Sequence, residues 1–313
     1  MRNLIFFAFS CCASSTWAAC GLTLSASNIT INWDLNFSTM AVQIIVNKSG
    51  AAACDFGIGF SKGGASSYLT RRGADGSKSL RYQLYKDNAL NKVLKDVPDI
   101  TTSDDVLTGG FPAGTNLNQT ILYYLEIPYS MATTPVLAAA GSYTDNFTIN
   151  LYEGSNPLAF ATPEDSASIA LSVNVDKLIA VSLVDSGGAF QTSSTSRSID
   201  FGSLSDGESS SFDMRVRTNA GFSVTFSSAN NGRLKHINPA KNSFVSYKLY
   251  VNSVLLNMSS SSGSPVTGLG GGGSTAMDGL AYPIKIVIGN VGGMSSVSGR
   301  HEDQITMTAT TTE

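Results

Sequence analysis

Charge is sparse in this 313-residue chain: Asp, Glu, Lys and Arg make up 14% of it, and the formal net charge is −3. No basic run is present to neutralise a phosphate backbone, so nucleic acid is excluded as a partner. Histidine is scarcer still, represented by His236 and His301 alone. Two histidines, few cysteines and no clustered carboxylates give no support for a metal site or a His-dependent nucleophilic triad. Neither enzymatic activity nor a cofactor is expected. The run 268–275 (GLGGGGST) is not a phosphate-binding loop, because no lysine precedes Ser274 and no strand–helix context surrounds it. A flexible loop is expected there. The acidic pairs Asp104-Asp105 and Glu164-Asp165 read as solvated turns. Helical periodicity is hard to find past the first 19 residues, and no later run is apolar enough to span a membrane as a helix.

What is present begins with an export signal. Residues 1–19 combine Arg2, an apolar run from Leu4 to Ala13 and small residues before Cys20. This is the pattern of a secretory signal peptide, with cleavage expected after Ala18 or Ala19. Acylation of Cys20 is the alternative, although Trp17 stands where lipoprotein sites usually carry Leu. The mature chain is expected to be exported and soluble. Of the four cysteines, Cys11 and Cys12 leave with the signal, and Cys20 and Cys54 remain. In an oxidising compartment these two are expected to pair rather than stay as free buried thiols.

The remaining chain repeats itself. Residues 54–61 (CDFGIGFS) match 220–227 (AGFSVTFS), and the same offset pairs 33–35 (WDL) with 199–201 (IDF). Residues 80–85 (LRYQLY) match 245–250 (VSYKLY), 123–127 (YYLEI) resemble 282–286 (YPIKI), and 140–149 resemble 298–307. The order is kept and the offset drifts only through loops, so one domain of roughly 130–150 residues occurs in tandem. The second copy has Ser186 and Ala220 where the first has Cys20 and Cys54. This joint absence supports their pairing. Alternation of Phe56, Ile58 and Phe60, of Phe147, Ile149 and Leu151, and of their counterparts marks strands. Turn residues such as 74–76 (ADG) and 230–232 (NNG) separate them. The expected fold is all-β: two tandem immunoglobulin-like antiparallel sandwiches.

Between the copies lies a run found only once, 166–184 (SASIALSVNVDKLIAVSLV). Ile169, Leu171, Val173 and Val175 alternate with small or polar residues, as in a strand with one buried face. The expectation is that 168–175 is the built-in last strand of the first copy and that 178–184 opens the second. The boundaries are then 20–176 and 177–313. The second copy stops just after the counterpart of 147–151, so its final strand is expected to be missing. An open sandwich exposes unpaired backbone and apolar side chains, and a strand from another chain is the expected remedy.

Residues 80–85, the approach from Ile127-Pro128 to Pro135 and the segment 140–145 (AGSYTD) together resemble the spore coat protein U domain of archaic chaperone–usher pilus subunits. The second copy keeps 246–250 (SYKLY) and Gly299 to Asp303 and diverges elsewhere. The resemblance implies one incomplete immunoglobulin-like domain per ordinary subunit, completed by an N-terminal strand of its neighbour. Here there are two domains and no room before Cys20 for a donor. The resemblance therefore implies a non-enzymatic tip adhesin that serves attachment and biofilm formation at the end of a cell-surface pilus. The N-terminal domain would be adhesin-like and the C-terminal domain an incomplete pilin. The implied partners are a periplasmic chaperone, an outer-membrane usher, the adjacent strand-donating pilin and an abiotic or host surface. The alternative is a secreted binding or coat protein made of two complete sandwiches.

Contact surfaces are sought in two loop regions of the first copy, 98–118 and 128–140. They carry Val106, Leu107, Phe111, Met131, Val136 and Leu137, which would suit adhesion to apolar surfaces if exposed. Packing over the open ends of the sandwich is the competing role. Tyr68, Arg71, Arg72 and Tyr129 form a second candidate set, for glycans. His301 stands where the first copy has Tyr143, which favours a structural role.

Overall fold

The computed structural model describes residues 20–34, 39–128, 136–259, 266–291 and 297–312. The signal region 1–19 lies outside them. Helix is confined to single turns at 68–70, 103–105, 157–159 and 239–241 among these residues, and none is long and apolar enough to cross a membrane.

The first half contains β1 (Leu22–Ser25), β2 (Ile29–Trp33), β3 (Thr39–Lys48), β4 (Cys54–Phe60), β5 (Arg72–Asp75) and β6 (Lys78–Arg81). It continues with β7 (Gln83–Tyr85), β8 (Leu107–Phe111), β9 (Leu117–Glu126), β10 (Gly141–Glu153) and β11 (Asp165–Val175). The second half contains β12 (Ile179–Val184), β13 (Ser209–Thr218), β14 (Phe222–Ser228), β15 (Arg233–His236) and β16 (Phe244–Val251). It ends with β17 (Val254–Leu256), β18 (Val266–Gly271), β19 (Leu280–Gly289), β20 (His301–Glu302) and β21 (Ile305–Thr311).

Each half is a pair of sheets around its own core. In the first, the sheet β1-β3-β9-β7 faces the sheet β2-β11-β10-β4-β8. In the second, β12-β13-β19-β16-β15-β20 faces β18-β14-β21. The strands alternate as a sheet with one buried face requires. Phe56, Ile58, Phe60, Phe147, Ile149, Ile169 and Leu171 share the first core, and Phe222, Val224, Phe226, Leu249 and Ile284 the second. The tight turn joining β5 and β6 places Gly76 at φ +56°, in the left-handed region open to glycine without steric cost.

The repeat extends to the ladders. Ile149 stands opposite Phe60 and Leu151 opposite Ile58. Their counterparts keep that register, with Met307 opposite Phe226 and Ala309 opposite Val224.

The run 268–275 differs from the expected flexible loop. Its first part lies in β18, which pairs with β14, because glycines next to the Phe222 backbone leave that ladder unobstructed. Its last residue, Thr275, is buried and donates its backbone N–H to the Thr218 carbonyl.

The halves meet at a short connection, 176–178. The Asn219 side-chain amide donates to the Asp176 carbonyl at 2.9 Å, and its carbonyl oxygen accepts from the Leu178 N–H at 2.7 Å. Segment 136–140 of the first half closes the junction. Leu137 N–H donates to the Thr275 carbonyl, and Ala140 N–H to the Asn219 carbonyl.

Candidate functional site

β11 is the element that distinguishes the halves. It runs antiparallel to β10 over its whole length, from Gly141 opposite Val175 to Leu151 opposite Asp165. Its other edge pairs in parallel with β2, Leu171 with Ile29 through Val175 with Trp33. The strand starts at Asp165, three residues earlier than the alternation alone marked. Ile169, Leu171, Val173 and Val175 all point into the core and are buried.

In the second half that strand position is open. β21, the counterpart of β10, pairs with β14 on one edge and with no described strand on the other. The consequences are visible on both sides of the gap. Phe147, Ile149 and Leu151 on β10 are 1, 0 and 0% exposed. Their counterparts Ile305, Met307 and Ala309 are only partly buried. Segment 195–199, the counterpart of β2, forms no strand. A β2-like segment ladders only on a β11-like neighbour, and none is described there. Ile179, Val181, Leu183, Ile199 and Phe201 are likewise left partly buried beside the core. The result is an apolar groove flanked by an unsatisfied sheet edge.

The floor of the groove is pinned by a device present in both halves. Tyr82 donates its hydroxyl proton to Asp145 Oδ2 at 2.6 Å, and Tyr247 does the same to Asp303 Oδ2 at 2.6 Å. The other carboxylate oxygen accepts from the β4–β5 turn at Gly64 N–H, or from its counterpart Asn230 N–H. Burial, and then the hydrogen bond to the carboxylate, push both tyrosines well above their ordinary pKa. Their hydroxyls therefore remain donors. The aligned Tyr and Asp were legible as repeat residues, but their contact needed the fold.

His236 and His301 pair across β15 and β20, rings edge to face with centroids 5.0 Å apart. His236 Nδ1 accepts from Asn238 N–H, and His301 Nε2 lies 2.9 Å from the Ser243 hydroxyl oxygen. Among the described residues the only three potential metal-binding groups lying together are Cys20, Cys54 and Glu153. The two sulfurs form the disulfide Cys20–Cys54, with Cα atoms 6.5 Å apart.

Of the described candidate surface residues, all but Val136 are buried. Val106, Leu107 and Phe111 are 0, 3 and 7% exposed. Leu107 and Phe111 are core-facing residues of a strand, β8, paired with β4. Gly109 disguised that strand by interrupting the apolar alternation. The Phe56 ring occupies the space where a side chain at Gly109 would stand. Val106 packs in a satellite cluster with Ile100, Tyr152 and Phe160. Leu137 is buried at the junction, and Val136 forms a bridge to Ala276 of the second half. Met131 and Tyr129 lie outside the described residues.

Of the glycan candidates, Tyr68 is buried and Arg71 fully so. The Arg71 guanidinium donates to the carbonyls of Phe60, Ser61 and Leu94 and to Gln83 Oε1, while burial lowers its pKa to about 10. Arg72 remains exposed on β5. A shallow cleft of about 270 Å3 between β1, β3 and β9 is lined by Thr23, Asn47, Ser49, Asn116 and Asn118. Its one cation, Lys48, is held by the carbonyls of Pro112 and Gly114.

A family model and several solved structures match this chain. No curated protein matches it. Among solved structures, it resembles the chaperone–tip adhesion subunit pre-assembly complex CsuC–CsuE from archaic chaperone–usher Csu pili of Acinetobacter baumannii. The identity is 12%, covering 91% of this chain and 99% of that one, with a TM-score of 0.42. The CupB6 tip adhesin of Pseudomonas aeruginosa matches at 10% identity, 93 and 95% coverage and a TM-score of 0.36. CfaE, the adhesive subunit of CFA/I fimbria of enterotoxigenic Escherichia coli, matches at 12%, 92 and 93% coverage and 0.35. The family model of the Spore Coat Protein U domain matches residues 8–150.

Proposed function

We propose that this protein is the non-enzymatic tip subunit of a chaperone–usher pilus, exported through the periplasm to the cell surface. In this reading residues 20–176 are a self-closed adhesin domain that contacts an abiotic or host surface in attachment and biofilm formation. Residues 177–313 are a pilin domain that accepts a strand, first from a periplasmic chaperone and then, at the outer-membrane usher, from the adjacent subunit. The observation that carries the reading is the open edge of β21 beside partly buried apolar residues, at the position that β11 fills in the first half. The family match supports it from another side. It ends at residue 150, within β10, so the closing strand β11 lies beyond the family domain.

The test uses the full mature chain and a periplasmic pilus chaperone or a donor-strand peptide with apolar residues at alternate positions. Binding is expected to raise the unfolding temperature of the second half and to protect the β21 amides from hydrogen exchange. A chain that binds neither, and whose β21 amides are already protected when it is alone, would overturn the reading.

A further inference from the structure

We infer that the strand completing the second half carries a bulky apolar residue where β11 carries Ala167, so that the sequence of β11 is a poor guest for that groove. The inference rests on the strand-accepting reading above and specifies the partner's chemistry.

Because the ladders keep one register, the floors of the two positions compare residue by residue. Phe56 and Phe60 are retained as Phe222 and Phe226. Between them the facing pair Ile58 and Leu151 becomes Val224 and Ala309, so an isobutyl group shrinks to a methyl. In the first half this full floor meets a slender guest: Asp165 stands opposite Leu151 and Ala167 opposite Ile149. The bulky residues of β11, Ile169 to Val175, lie further along.

In the second half the floor is reduced at this end, and Met307 and Ala309 are left partly buried. β12 runs close to β21, yet its Ile179, Val181 and Leu183 stay partly buried like the β21 residues they approach. Protein interiors pack at crystal-like density, and an unfilled void is costly. The missing volume must therefore come from the guest. A guest antiparallel to β21, as β11 is to β10, places its Ala167-equivalent directly opposite Met307 and diagonal to Ala309. A large side chain there fills the space above Ala309.

The test is fluorescence anisotropy on the full mature chain with two labelled peptides. One has the sequence of residues 163–175 (PEDSASIALSVNV), and the other is the same peptide with Ala167→Phe. The Phe peptide is expected to bind about tenfold tighter. A protein variant Ala309→Leu, checked for folding by its unfolding transition, is expected to lose that preference while still binding the unsubstituted peptide. Equal binding of the two peptides, or weaker binding of the Phe peptide, overturns the inference and leaves the strand-accepting reading intact. Absence of binding by either peptide overturns the inference, while the strand-accepting reading stands or falls on the chaperone binding and β21 amide protection described above.

Discussion

At the scale of residues, polar side chains do much of the fixing in this weakly charged protein. Asp105 shows how. It sits at the end of a single helical turn capped by Thr102, where its carboxylate accepts from the N–H groups of Thr101 and Thr102 and from the Thr101 hydroxyl. Lys95 lies 2.9 Å away. Burial by itself would raise its pKa, but the lysine and the three hydrogen bonds outweigh it and hold the group down at about 2. A carboxylate depressed in the folded state contributes stability that is present above the unfolded value near 4. That contribution is lost as pH falls through the folded value. Acid titration of the unfolding free energy should therefore show a loss of roughly 2 kcal/mol between about pH 4 and pH 2 from this residue. Asp105→Asn should remove that component and lower the stability at pH 7 by a similar amount. The sequence presented Asp104-Asp105 as a solvated pair. Asp104 is indeed exposed, whereas Asp105 is buried, and the difference comes from which side of the turn faces the chain.

At the scale of elements, the disulfide and β11 secure the first sandwich in different ways. Cys20 precedes β1 and Cys54 starts β4, so the bond ties one sheet to the other across 34 residues of chain. Closing a loop of that length in the unfolded state is worth about 3–4 kcal/mol in the chain-entropy model. The pair Cys20→Ser and Cys54→Ser should lower the unfolding free energy of the first half by about that amount. The second half has no equivalent bond, so its transition should not move, and denaturant melts followed by tryptophan fluorescence from Trp33 can report on the first half separately. β11 contributes differently. It adds a ladder on each edge and four buried apolar side chains, the very features that the edge of β21 lacks.

At the scale of the whole molecule, a short connection joins the two sandwiches. The linker is only residues 176–178, and Asn219 holds it from both sides. Asn219→Ala should cost about 1–2 kcal/mol for the two lost hydrogen bonds. It should also broaden the distribution of distances between spin labels on the two halves, measured by electron–electron resonance. An unchanged distribution would show that segment 136–140 alone sets the orientation. Of the two candidate surface residues at that junction, Leu137 is buried and Val136 is exposed.

The all-β class, the tandem repeat, the cysteine pairing and the uniqueness of segment 166–184 were legible in the chain alone. All four are properties of local pattern: period-2 alternation, recurring strings and composition. The sequence did not reveal β8, whose glycines erase the alternation, nor the Tyr82–Asp145 and Tyr247–Asp303 pins, whose partners lie 63 and 56 residues apart. Burial of Val106, Leu107, Phe111 and Arg71 was also beyond it, because a loop residue and a core residue can have the same neighbours in sequence. The missing last strand of the second half was expected from the repeat, and the folded chain added how far Ile305, Met307 and Ala309 beside the β21 edge are covered. That coverage depends on which distant strand comes to lie against the edge, and no local pattern encodes that pairing.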